Sequence, residues 1–411
     1  MALWTHRDFR LLWIGDTASQ FGSSIGRTVL PLLAATTLAA TPWEMGVLGA
    51  AGTAAFLLIG LPAGVWADRM RRRPLMITAD LLRAGLLLSV PIAWWLDVLT
   101  LAQLVVVALL VGVCTVFFDI AYQSYLPSLV GREHLVEGNS RLQASQSVAD
   151  VSGPALAGGV AQSIGAANGV LATGLGYLGS ALFLWRIRGV EPAPRPHGGR
   201  KLRTDIAEGL RFVVDNRSLR AIAGCTGTSN FFAGFEAAVV ILFLVREVGL
   251  AEGVVGLLLS AGGVGGVLGA LTANRWNRRL GQTRVIWLSM LFTQPFGLLL
   301  PLTANDWRVG LAMAGMAIAV YGATVYNVSQ VSFRQTLCPD HLLGRMNASI
   351  RFLVWGTIPL GGLVGGVLGG WAGLRATLWI AMVGQVLAVG WVLLSPLRTT
   401  GAPAATVPDH G

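Results

Sequence analysis

The chain has 411 residues, 54% of them hydrophobic and only 12% charged, with a mean hydropathy of +0.64. That composition excludes an ordinary soluble domain. The net charge of +10 is spread over alternate loops rather than gathered on one face, which argues against nucleic-acid binding and for a membrane protein. Cys114, Cys225 and Cys338 lie far apart without ligand spacing, so no disulfide framework, metal site or cofactor is expected.

Apolar runs of about 20 residues mark twelve candidate spans, near 12–36, 44–67, 75–96, 101–125, 143–163, 167–187, 219–245, 253–274, 283–303, 309–330, 352–373 and 375–395. The first follows His6, Arg7 and Arg10. It is too long for a signal peptide and no small-residue cleavage site closes it, so it reads as a retained helix. The expected architecture is an all-α membrane protein of two pseudo-symmetric six-helix bundles, 1–187 and 218–398. A cytoplasmic linker, 188–217, joins them, and 399–411 forms a disordered cytoplasmic tail. Within the linker, Leu202, Ile206, Leu210 and Val213 make one apolar stripe, and Asp205 with Glu208 suggests a capping box at the start of an amphipathic helix.

Arg27 and Arg83 fall inside spans, and Arg246, Arg308 and Arg375 follow odd-numbered spans. About 25 of the 30 Lys and Arg residues lie at the ends of the chain, or in or beside the loops after even-numbered spans, which puts both termini in the cytoplasm. The basic turn Gly64-Val-Trp-Ala-Asp68-Arg69-Met-Arg-Arg-Arg73-Pro74 returns in the second half as Asn274-Arg275-Trp-Asn-Arg278-Arg279. Equivalent turns in equivalent places indicate an internal repeat, the usual build of a secondary transporter. Asp68, Arg69 and Arg73, with Asn274, Arg275 and Arg279, are the gating candidates; Arg71 and Arg72 read as topology signals.

Ionisable groups within a span are costly unless they meet a partner or a cavity. Asp16 and Arg27 sit on nearly one side of span one with Gln20 and Ser23 between them, as a proton carrier beside its cation or as ion partners of another helix. Asp80 and Arg83 are spaced to pair within span three. Asp119 ends span four, as gate or cavity residue. Asp150 precedes Gly153-Pro154-Ala-Leu-Ala-Gly158, where Gly and Pro kink the helix and admit a close neighbour. Glu236 lies in span seven, where Asn230, Tyr321, Tyr326, Asn327 and Gln330 are candidates to share its cavity wall. Asp16 and Glu236, one per half, are the leading candidates to carry a proton.

The turn at Gly64–Arg73 resembles the signature loop of the major facilitator superfamily, with Arg71 in place of the usual Gly. Arg7-Asp-Phe-Arg10-Leu-Leu-Trp13-x-Gly15, Phe117-Phe-Asp119-Ile-Ala-Tyr122 and Gly344-Arg345-Met-Asn347-Ala-Ser look like the branch that holds enterobactin exporters and macrolide efflux pumps. The resemblance implies efflux of a small amphipathic molecule by alternating access and proton antiport, by a monomer in the bacterial inner membrane. Its partners are then the small-molecule substrate, protons and the lipid bilayer, with no nucleic acid. The run at Gly153 is similar to the fifth-helix signature of antiporters, whereas span four lacks the arginine of many proton-coupled members. An uptake permease of the same fold and a non-transporting scaffold or sensor are the alternatives. No Walker loop, HExxH, GxSxG or CxxC appears, which speaks against a nucleotide-driven pump or a membrane enzyme.

Overall fold

A backbone that crosses hydrocarbon must satisfy its own hydrogen bonds, and helices do so residue by residue. The computed structural model describes residues 6–68, 70–130, 135–188, 202–338 and 343–398, and every regular element among them is helical. The first half comprises α1 (Arg7–Thr36), α2 (Pro42–Asp68), α3 (Arg72–Trp95), α4 (Leu101–Val130), α5 (Leu135–Ile164) and α6 (Ala166–Trp185). After α7 (Leu202–Asp215), the second half comprises α8 (Arg217–Leu242), α9 (Glu252–Leu280), α10 (Gln282–Thr293), α11 (Arg308–Leu337), α12 (Leu343–Trp355), α13 (Thr357–Trp371), α14 (Leu374–Leu387) and α15 (Gly390–Leu393). Since α12 with α13, and α14 with α15, each form one broken crossing, the twelve expected spans are all present.

Among the described residues, ten helical segments are long and apolar enough to cross a membrane by length and composition. The other two crossings, α1 and α5, are 30 residues each but more polar. They satisfy one another. The Trp13 indole donates to Ser145 Oγ at 2.9 Å, the Thr17 hydroxyl donates to the same oxygen at 3.1 Å, and Arg27 pairs with Asp150.

Several boundaries differ from the sequence expectation. Arg72 and Arg73 already belong to α3, and Asn274–Arg279 is not a turn at all: it forms the last turns of α9. The reversal after α9 is made by Gly281, whose φ of +82° excludes most side chains. Gly165, between α5 and α6, and Gly373, between α13 and α14, make matching joints in the two halves at φ +85° and +90°. The span expected at 352–373 breaks at Gly356. Pro359 has no N–H to offer the carbonyl four residues back, and Asn230 donates to the nearby Val354 carbonyl at 3.0 Å. Similarly, Pro295 and Pro301 turn the second part of the ninth span into a 3₁₀ helix, Gln294–Leu302. In the linker, α7 runs from Leu202, three residues before Asp205, whose side chain lies outside the described residues. Val213 is buried against Leu219, Cys338, Met346 and Ile350, while Leu210 stays exposed. The tail at 399–411 lies outside the described residues.

The halves meet along two seams, α5 against α9 and α2 against α13. These are the same contact repeated by the pseudo-symmetry. On one, Cβ atoms at Gly158 and Gly256 would collide with the carbonyl oxygens of Glu252 and Pro154; on the other, Gly46 and Gly366 face Gly362 and Pro42 just as closely. Backbone-to-backbone packing of this kind suits a membrane interior, where small residues let helices approach. Both sets of glycines lie toward the arginine-poor end of the bundle, the end with the α1–α2 and α5–α6 joints. There Arg246, in the π-helical turn Phe243–Glu247, also donates to the Ala35 carbonyl of α1 at 2.7 Å.

Candidate functional site

Toward the arginine-rich end the halves part around a cavity of about 160 Å³. Its walls come from both halves: Phe56, Leu57 and Gly60 of α2 and Asp119 of α4 face Arg351, Phe352 and Trp355 of α12. The Phe56 and Trp355 rings touch across the divide with centroids 5.4 Å apart. Asp119 is not at the end of its span, since α4 continues for three more turns to Val130; it stands in the wall of the cavity.

Behind Asp119, inside the first half, Asp80 and Arg83 form the expected pair within α3, both fully buried. The Arg83 guanidinium is sandwiched between the rings of Phe118 and Tyr177, at 4.4 and 4.3 Å from their centroids. Stacking offsets part of the desolvation of a buried cation. Yet Asp80 Oδ2 and Arg83 Nε have no hydrogen-bond partner among the described residues. Asp16 is buried nearby, accepting a 3.5 Å bond from Gln20, and interacts electrostatically with Asp80, Arg83 and Asp119. α4 has no arginine of its own, and the guanidinium it meets is that of Arg83 from α3.

Arg27 does not accompany Asp16. Its partner is Asp150 of α5, at an exposed position where the Asp150 backbone also meets Gly263 of α9. One turn on, Gly153 lies against Ser24 of α1, and Pro154 with Gly158 faces α9, so the kinked run packs two helices at once.

Glu236 occupies a separate cavity of about 90 Å³ within the second half, with Gln294, Met316, Met382 and Gln385. Gln385 donates to it at 3.0 Å. The expected company does not assemble: Tyr326 bonds Thr226, Tyr321 bonds Thr272 and Trp276, Asn230 caps the α12 break, and Asn327, exposed, accepts from Gln330.

Of the gating candidates, the side chain of Asp68 and all of Arg69 lie outside the described residues. Arg73 donates to the Leu184 and Trp185 carbonyls at 2.9 and 2.5 Å, capping the C-terminus of α6. Asn274, Arg275 and Arg279 are exposed on α9. Sequence reasoning missed Arg351, because a span beginning at 352 leaves it among the loop charges. Its one signal was Trp355, a helical turn away on the same face.

Residues 1–410 match the family model described as transmembrane secretion effector. The multidrug efflux pump Tap of Mycolicibacterium fortuitum is 29% identical over 387 residues, covering 88% of this chain and 92% of that protein. Tap of Mycobacterium tuberculosis (strain ATCC 25618 / H37Rv) is 27% identical over 367 residues, 85% and 84% respectively. Among solved structures, an inward-facing bacterial homologue of the lysosomal transporter Spinster superposes with a TM-score of 0.73 at 15% identity over 97% of this chain and 99% of its own. The nucleoside transporter NupG, as its D323A mutant, gives 0.76 at 14% over 94% and 99%. At such identities the likeness is one of fold.

Proposed function

Since the chain belongs to the transmembrane secretion effector family of the major facilitator superfamily, and is therefore a multi-pass membrane transporter rather than an enzyme, we propose that it exports small amphipathic molecules by proton antiport. The arginine-rich end faces the cytoplasm, as the loop charges require. The observation that carries this reading is the cleft between the halves. It pairs one wall carboxylate, Asp119, with the rings of Phe56, Phe352 and Trp355, on the cytoplasmic side of two glycine seams that are closed. An amphipathic cation entering from the cytoplasm finds a counter-charge and apolar faces together. Rocking the halves about the seams then carries it across.

Protons enter through the interior charges of the first half. Asp16, Asp80 and Asp119 share one cation of their own half, Arg83. Three carboxylates around one guanidinium form a cluster able to exchange a proton when substrate or solvent reaches it. Efflux relatives matched over most of this chain's length support the outward direction. The test is uptake into inside-out vesicles with an acidic lumen, screened over dyes, macrolides and siderophores. Accumulation that collapses with a protonophore is expected; accumulation only in right-side-out vesicles would make the protein an uptake permease.

A further inference from the structure

Arg351 and Asp119 face one cavity from opposite halves without bonding to each other. Asp119 forms no hydrogen bond or ion pair with any described residue. The guanidinium of Arg351 is exposed, resting 5.4 Å from the Trp355 ring, and it acts on Asp119 through its charge. We propose that Arg351 sets the charge preference of the cleft, as a tethered cation that a cationic substrate must outcompete for the field of Asp119. This rests on the cleft being the substrate site.

The groups facing Asp119 decide the sign. From within the first half come Asp16 of α1, Arg83 of α3, itself paired with Asp80, and the phenol of Tyr122 on α4; among the described residues of the second half, Arg351 faces it. Without Arg351 the wall carries a net negative field into the cavity. With it, part of that field is cancelled at the point where an entering cation would bind. A neutral lipophilic molecule feels the rings and the shape but not the balance of charge. Arg351 therefore discriminates between substrates by charge while adding little to affinity for any apolar body. Its position on α12, in the half opposite to Asp119, means that rocking the halves also changes the distance between them.

The experiment is equilibrium binding to the purified full-length protein in nanodiscs, with tetraphenylphosphonium as a permanent cation and N-phenyl-1-naphthylamine as a neutral probe. Arg351→Gln is expected to tighten cation binding about tenfold and to leave the neutral probe within twofold. Arg351→Lys should behave as wild type, Arg351→Glu should tighten the cation further, and adding Asp119→Asn to Arg351→Gln should abolish the gain. Unchanged cation affinity in both Arg351→Gln and Arg351→Glu, or equal shifts for both probes, would overturn the proposal while leaving the cleft as substrate site. A folded wild type that binds neither probe would overturn both.

Discussion

In the first half, Asp16 interacts with Asp80, Arg83 and Asp119 in the interior; in the second, Glu236 has Gln385 for its hydrogen bond and no ion partner among the described residues. The backbone repeat is close, down to the matching glycine joints at Gly165 and Gly373. The chemistry is not repeated. Arg334, the second half's buried cation, sits in the last turn of α11, where a basic residue complements the helix dipole. One half therefore carries coupled charges; in the other, among the described residues, Glu236 stands in its cavity apart from other acids. Under the proposed antiport, coupling by mutual electrostatics would then belong to the first half.

The largest expected effect is on stability. Arg83→Leu leaves Asp80 buried beside no cation, a loss of about 3–5 kcal/mol, whereas Gln385→Leu removes one hydrogen bond from Glu236 and costs about 1–3 kcal/mol. Thermal unfolding of the two purified variants measures the gap, and equal losses would erase the distinction between the halves. Next comes coupling. Asp16→Asn should reduce gradient-driven efflux in inside-out vesicles at least tenfold, and Glu236→Gln less than threefold, because only Asp16 shares a field with other titrating groups.

The seams give smaller effects. Gly158→Leu forces α5 from the Glu252 carbonyl, so a cysteine placed at Ala35 should label faster from the arginine-poor side; Gly159→Leu, which points into open space, should not change labelling. Arg246→Ala removes the tie to the Ala35 carbonyl and should raise the same labelling only severalfold. If it exceeds Gly158→Leu, side-chain ties rather than glycine packing hold that end shut.

Much of this fold can be read in advance, because span length and loop charge are local properties of the chain. Apolar runs locate every crossing, and even polar α1 and α5 keep enough apolar residues to be counted. The breaks at Gly356 and Gln294 follow from Pro359 and from Pro295, but a proline in an apolar run does not announce whether its helix bends or ends. The site is harder. The Asp80–Arg83 pair is legible since one helical turn joins it. Arg27 and Asp150 are each visible as span charges, yet 123 positions separate them, and only packing of α1 on α5 shows that they belong together. Asp119 reads as the end of a span because Gln123, Ser124 and Pro127 close the apolar run, while the helix itself continues. Arg351 is hidden for the converse reason: its helix begins before hydrophobicity does.

Substrate and proton are expected to compete through the first half and not through Glu236. Proton release on substrate binding, followed with a pH indicator in weakly buffered purified protein, tests it directly. Tetraphenylphosphonium is expected to release protons from the wild type and from Glu236→Gln, and none from Asp119→Asn at saturating probe. Release that persists in Asp119→Asn and disappears in Glu236→Gln would contradict it.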